Sequence, residues 1–161
     1  MLARVYSGVV VGIDGRIVEV EADLAGGLPS FTVVGLPGTA VRESRERVAA
    51  AVRNSGLSFP ARRITINLAP ASIRKEGALY DLPIAVGILA ASKQIRTEGL
   101  DKLLILGELA LDGRLLPVRG VLSIVLGARD AGLTGLVVPE ENAEEASAVT
   151  SLRLWSARDL G

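Results

Sequence analysis

A mixed α+β domain of two layers is the fold class this sequence predicts, and three observations predict it. Two hairpin-type dipeptides, Asp14-Gly15 and Asp112-Gly113, each stand between apolar runs of strand composition. Residues 62–91 read as a strand, a loop and a helix: RRITINLAP, ASIRKEGALY and DLPIAVGILAA. Apolar residues make up 49% of the chain and aromatics only 3%, so a sizeable core is affordable and it must be aliphatic. Hairpins mixed with βα units in 161 residues point to one domain with helices packed on a sheet.

Residues 5–11 are rich in β-branched side chains, and residues 17–21 alternate so that Val18 and Val20 face inward and Glu19 and Glu21 outward. A turn at residues 26–29 leads to a third strand at 31–34, and the first thirty-five residues read as a three-stranded antiparallel unit. Gly35-Leu36-Pro37-Gly38 ends that sheet. A helix follows from Thr39 to about Asn54, with Val41, Ser44, Val48, Ala51 and Val52 as its inward stripe. Arg42–Glu46 and Glu43–Arg47 are i,i+4 pairs for its outer face. Residues 64–68 are a buried strand. Asp81 is placed to cap the second helix, with Pro83 in its first turn, and the helix interior, IAVGILAA, has no polar face and should lie between layers. Strands are expected at 103–106, 114–118, 136–138 and 152–155, and helices at 121–131 and 140–148. Residues 156–161 read as the start of a further helix, which marks either a piece of a longer protein or a frayed terminus.

The totals exclude several chemistries. There is no Cys and no His, so disulfides, Cys-based zinc sites and every Ser-His or Cys-His nucleophile fall away. Basic and acidic residues balance at 18 each, so nucleic acid could be met only by a local patch. No signal peptide and no membrane-length apolar run is visible, and a cytoplasmic protein is the simplest expectation.

Three constellations are candidates for function. Gly35-Leu36-Pro37-Gly38-Thr39 runs into a helix in the manner of a phosphate cradle, but no G-x-x-x-x-G-K-[ST] or G-x-G-x-x-G is present, and a plain strand-to-helix turn is the better reading. Glu76, Asp81, Glu108 and Asp112 lie near the two loops. Asp81 is explained as a cap and Asp112 as a turn residue, which leaves Glu108, inside an apolar segment, as the odd carboxylate. Arg42, Arg45 and Arg53, then Arg62 and Arg63, then Arg74 and Lys75, form a phosphate-binding patch if they converge, and an ordinary solvated surface if they do not.

The runs GLPGTAVRESRERVAAAVRNSG, RRITINLAPASIRKEGALYDLPIAVGILAA and GELALDGRLLPVRGVL resemble the N-terminal domain of ComM/YifB proteins, the magnesium-chelatase-like AAA+ ATPases. The likeness extends over residues 2–155. It departs at Gly38, where the family commonly has Asp. It implies the ribosomal protein S5 domain 2-like fold, which Lon protease domains share. In that comparison Lys75-Glu76-Gly77-Ala78 matches the run before the Lon nucleophile, whose position falls on Leu79. Residues 107–121 match the run before the catalytic lysine, whose position falls on Leu122.

A leucine neither attacks a carbonyl nor accepts a proton. The resemblance therefore implies a protease-like fold with no protease chemistry, in which Leu79 and Leu122 come together as apolar packing. It further implies a single domain over 1–161 that precedes an AAA+ motor. Such proteins resemble hexameric DNA helicases of branch migration and natural transformation. ATP and magnesium would belong to the motor, and no cofactor or metal site is expected in residues 1–161. Partners implied are DNA and other copies of the protein, with no membrane. Arg42, Arg45, Arg62, Arg63, Arg74 and Lys75 become the DNA-facing candidates. Rival readings are an assembly module without DNA contact, a peptide-binding domain that kept a protease-like groove, and a hydrolase working through Glu108.

Overall fold

The computed structural model describes residues 1–149 and 151–161. Among them are nine strands: β1 (Leu2–Val11), β2 (Asp14–Ala25), β3 (Ser30–Val34), β4 (Arg63–Ala69), β5 (Leu103–Ile105), β6 (Glu108–Leu109), β7 (Leu115–Leu116), β8 (Gly135–Pro139) and β9 (Arg153–Ala157). Seven form one mixed sheet in the order β3-β4-β2-β1-β5-β8-β9, and β6 and β7 form a separate hairpin around Asp112-Gly113, as expected. The helices are α1 (Thr39–Arg42), α2 (Ser44–Asn54), α3 (Asp81–Ala91), α4 (Val121–Asp130) and α5 (Ala143–Ala146).

The register of the first hairpin differs from expectation. Val11 pairs with Asp14, so Gly12 and Ile13 make the turn and Asp14-Gly15 opens β2. Gly15 serves helix packing instead. A Cβ there would stand 1.9 Å from the carbonyl oxygen of Ser123, so only glycine lets α4 lie against the sheet. Val18, Val20, Ala22 and Leu24 are buried on one face of β2, while Glu19 and Glu21 are only partly covered on the other. The expected three-stranded antiparallel unit is not formed. β3 runs parallel to β4 at the sheet edge, and β4 takes the place beside β2. The reason is burial: Ile64, Ile66 and Leu68 of β4 are fully buried, whereas Ser30, Thr32 and Val34 of β3 are exposed.

The sheet is covered on both faces, not in two layers. One face, through Val5, Val20, Ile64, Ile66 and Leu68, meets α2 and α3 in a core that includes Val48, Val52, Ile84 and Ile88. The opposite face, through Leu104, Leu106, Leu136 and Val138, meets Val121, Ile124, Val125 and Ala128 of α4 and Ala146 of α5. Parallel pairing of β1, β5, β8 and β9 requires crossovers, and those crossovers place helices on both sides.

The helix expected over residues 39–54 is broken at Glu43 into α1 and α2, yet its inward stripe of Val41, Ser44, Val48, Ala51 and Val52 is buried throughout. In α3 every residue except Val86 is buried, as an all-apolar helix between layers demands. Residues 156–161 do not begin a helix. Ser156 and Ala157 complete β9, and the chain then returns to the β6–β7 hairpin, where Leu115 N–H donates to Arg158 C=O at 2.7 Å and Leu160 N–H to Gly113 C=O at 2.9 Å.

Candidate functional site

The loop after β4 is built around Lys75. This residue, expected to face DNA, is completely buried. Its Nζ donates to the carbonyls of Gly35 at 2.8 Å, Leu68 at 2.9 Å and Pro70. Burial without a carboxylate partner lowers its pKa. Its main chain completes the tie: Lys75 N–H donates to Leu36 C=O at 3.0 Å, and Gly38 N–H donates to Lys75 C=O at 2.7 Å. The ammonium is thus spent on the backbone that β3, β4 and the Gly35–Gly38 turn leave unpaired, and no phosphate reaches it. Of the backbone N–H groups that a phosphate cradle at residues 35–39 would use, that of Gly38 is already bonded, and Pro37 has none.

Asp81 is not a helix cap. Its carboxylate accepts Arg47 Nε at 2.6 Å and Arg47 Nη2 at 3.0 Å, and Leu109 N–H at 3.1 Å. Burial pushes its pKa up to about 6, against the lowering effect of Arg47 and Leu109. Arg47 also donates to Ala40 C=O at 2.5 Å, and its link to Glu43 is a longer 3.8 Å. The Arg47–Asp81 pair therefore ties α1, α2, α3 and β6 together. The i,i+4 spacing alone assigns Arg47 to an outer face, because nothing local marks a partner 34 residues away. Beside this pair, Tyr80 is fully buried and its hydroxyl donates to Gly8 C=O at 2.9 Å. Burial raises the phenol well above its ordinary value, so it stays a donor.

These ties hold one wall of a cleft of about 740 Å³. Its lining comes from the end of β1 (Val9, Val10), the loop before α3 (Arg74 and residues 76–79), Glu108 of β6, and residues 117–120 with Ile124 at the start of α4. No hydroxyl, thiol or amine side chain is among the lining residues. Leu79, at the position the resemblance assigns to a nucleophile, lines the cleft and packs against both cores. Leu122 does not join it in apolar packing: it is 41% exposed and outside both cores. Val121, Ile124 and Val125 take the inner stripe of α4, which turns position 122 outward. Glu108 does lie in the cleft. Asp112 is a turn residue at the surface, where the backbone N–H and side chain of Arg114 hold its carboxyl low.

The five remaining basic candidates are exposed but do not converge. Arg62 and Arg63 stand at the start of β4. Arg74 follows its far end, beside the turn into α1 that carries Arg42 and, beyond it, Arg45. The seven residues of β4 separate the two groups by roughly 20 Å. Arg74 is held by Glu76 at 2.5 Å, and Arg45 lies 3.8 Å from Glu46. Arg119, which no sequence motif singles out as a ligand, lines the cleft and has no ion pair among the described residues.

No helix among the described residues is long and apolar enough to cross a membrane. Comparison with known proteins agrees with the sequence resemblance. The competence protein ComM of Haemophilus influenzae is 43% identical over 159 residues, covering 99% of this chain and 31% of that protein. The protein YifB of Salmonella typhimurium is 46% identical over 149 residues, or 92% of this chain and 29% of its own length. Lon protease of Salinispora arenicola is more distant, at 30% over 143 residues, 83% of this chain and 18% of the protease. The chain thus spans about a third of the curated ComM and YifB relatives it matches. Residues 20–142 match the family described as subunit ChlI of Mg-chelatase, and the chain belongs to that Mg-chelatase ChlI family, as a homologue of ComM and YifB over nearly its whole length.

Proposed function

We propose that this domain is a non-catalytic accessory module of a ComM-like AAA+ DNA helicase, with an S5 domain 2-like, Lon protease-like fold. In this reading it contributes DNA contact and ring assembly to branch migration during natural transformation. ATP and magnesium are handled by an AAA+ domain outside residues 1–161, and the full-length protein works as a hexamer. The observation that carries the reading is the lining of the cleft: where a protease would hold its nucleophile there is Leu79, and no hydroxyl, thiol or amine side chain lines the cleft in its place. What remains for the domain is binding. The exposed guanidinium groups of Arg42, Arg45 and Arg74 are the better DNA contact, since all three belong to the segments that the Lys75 turn joins at one end of β4. Arg62 and Arg63 form a separate contact at the other end.

The test is binding of forked DNA by the full-length protein across a salt series. Each phosphate-neutralising cation that is removed lowers the salt slope by about 0.9, so Arg42→Ala/Arg45→Ala/Arg74→Ala should reduce it by up to about 2.7. An unchanged slope in this variant and in Arg62→Ala/Arg63→Ala, with hexamers intact, removes DNA contact and leaves assembly alone.

A further inference from the structure

The cleft beside β1 has an open strand edge as one of its walls. Met1 and Leu24 exchange both of their backbone hydrogen bonds, each 2.8 Å, which sets the alternation along β1: odd residues bond β2 and even residues point away from it. On that far side Tyr6 pairs with Leu104 of β5, and the Gly8 carbonyl accepts the Tyr80 hydroxyl. β5 then ends at Ile105. The chain turns off at Gly107, whose N–H donates to Leu79 C=O and whose C=O accepts Leu82 N–H, each at 3.0 Å. The N–H and C=O of Val10 therefore face the space that β5 leaves and meet no partner among the described residues. That space is the cleft.

The walls around this edge are apolar: Val9, Leu79, Pro117, Val118 and Ile124. Its charges cancel, with Arg74 and Arg119 set against Glu76 and Glu108. No aromatic side chain lines it. A nucleic-acid strand would want net positive charge and a stacking surface, and finds neither. An extended polypeptide wants a free backbone edge, apolar recesses for alternate side chains and a volume of several hundred Å³, and finds all three.

We infer that the cleft binds an extended, uncharged polypeptide segment, which adds as a short strand to β1 at Val10 and sets its apolar side chains against Leu79, Val118 and Ile124. The proposal does not rest on DNA contact, although Arg74 belongs to both surfaces, lining the cleft at its rim.

Fluorescence anisotropy with the 161-residue chain tests it. The probes are a fluorescein-labelled hexapeptide of alternating Val and Thr, the same peptide N-methylated at alternate amides, and labelled decathymidylate. The unmodified peptide should bind, and N-methylation, which removes the donors facing Val10, should weaken binding by at least about tenfold. Val118→Trp fills the cleft and should abolish binding. Val10→Pro removes the one N–H on the open edge and should weaken it about tenfold, because that N–H takes no part in the β1–β2 ladder. No binding of the unmodified peptide, equal binding of the N-methylated one, or displacement of the peptide by decathymidylate each overturns the proposal. The N-methylated peptide keeps the test decisive should either protein variant fold poorly.

Discussion

Arg47→Ala tests the tie on which the cleft wall depends. In the native chain the Asp81 carboxylate is buried and receives two bonds from Arg47 and one from Leu109 N–H. Removing Arg47 leaves that carboxylate with the single backbone donor. Breaking one side of a buried, hydrogen-bonded ion pair costs about 3–5 kcal/mol when the remaining charge cannot leave. The cost depends on pH, and its sign follows from burial. Burial holds the folded-state carboxyl at about 6, above the ordinary value of about 4. The folded chain therefore holds this proton more tightly than the unfolded one, and Asp81 contributes stability that is lost as pH rises from about 4 to 6 and is level above that. Without Arg47 nothing but Leu109 opposes burial, so the pKa climbs further and the loss continues above pH 6, by about 1.4 kcal/mol for each unit of added shift. Urea unfolding of both proteins should therefore give a difference of about 3–5 kcal/mol at pH 8, shrinking to about 1–2 kcal/mol at pH 5, where a neutral Asp81 is left behind. A difference under about 1 kcal/mol at pH 8, or one that is equal at both pH values, refutes the reasoning.

Three further outcomes rest on particular atoms. Lys75→Met keeps the volume but strips the Gly35, Leu68 and Pro70 carbonyls of their common donor; thermal or urea unfolding should show a loss of about 3 kcal/mol or more, and a change within about 0.5 kcal/mol would mean the cage is incidental. Gly15→Ala drives a Cβ into the Ser123 backbone, which cannot move aside as a side chain would, and should cost about 2–3 kcal/mol or more by urea unfolding. Gly26→Ala, with open space around it, should stay within about 0.5 kcal/mol and serves as its control. Finally, neither the native chain nor Leu79→Ser should release peptides from fluorescent casein, since no lysine lines the cleft and Leu122, at the position of the partner base, is turned outward; hydrolysis by the purified native chain would end the non-catalytic reading.

Much of the core was legible one residue at a time. The stripe on residues 41–52, the alternation at Val18 and Val20 and the all-apolar α3 are local periodicities, and burial followed them. The Asp112-Gly113 hairpin was legible for the same reason, since a turn is decided within four residues. Glu108 stood out as a carboxylate in an apolar run, and it does face the cleft. Arg119 carried no comparable signal.

What the sequence by itself determined is therefore most of the elements, the aliphatic core, the absence of Cys and His chemistry, and, through its motifs, the family. What only the tertiary structure decided is which elements meet. Asp14-Gly15 has a turn's composition, but Gly15 answers to a helix more than a hundred residues later. Lys75 and Asp81 carry charges that read as surface or cap, and long-range partners bury both. β3 yielded the place beside β2 to a more apolar strand, and α4 found the face of the sheet that a two-layer reading leaves bare. The physical reason is common to all of these. Periodicity and turn chemistry act within a few residues, whereas a buried charge, a close backbone approach or a strand order is settled by partners dozens of residues apart, whose free energies exist only once the chain has closed on itself.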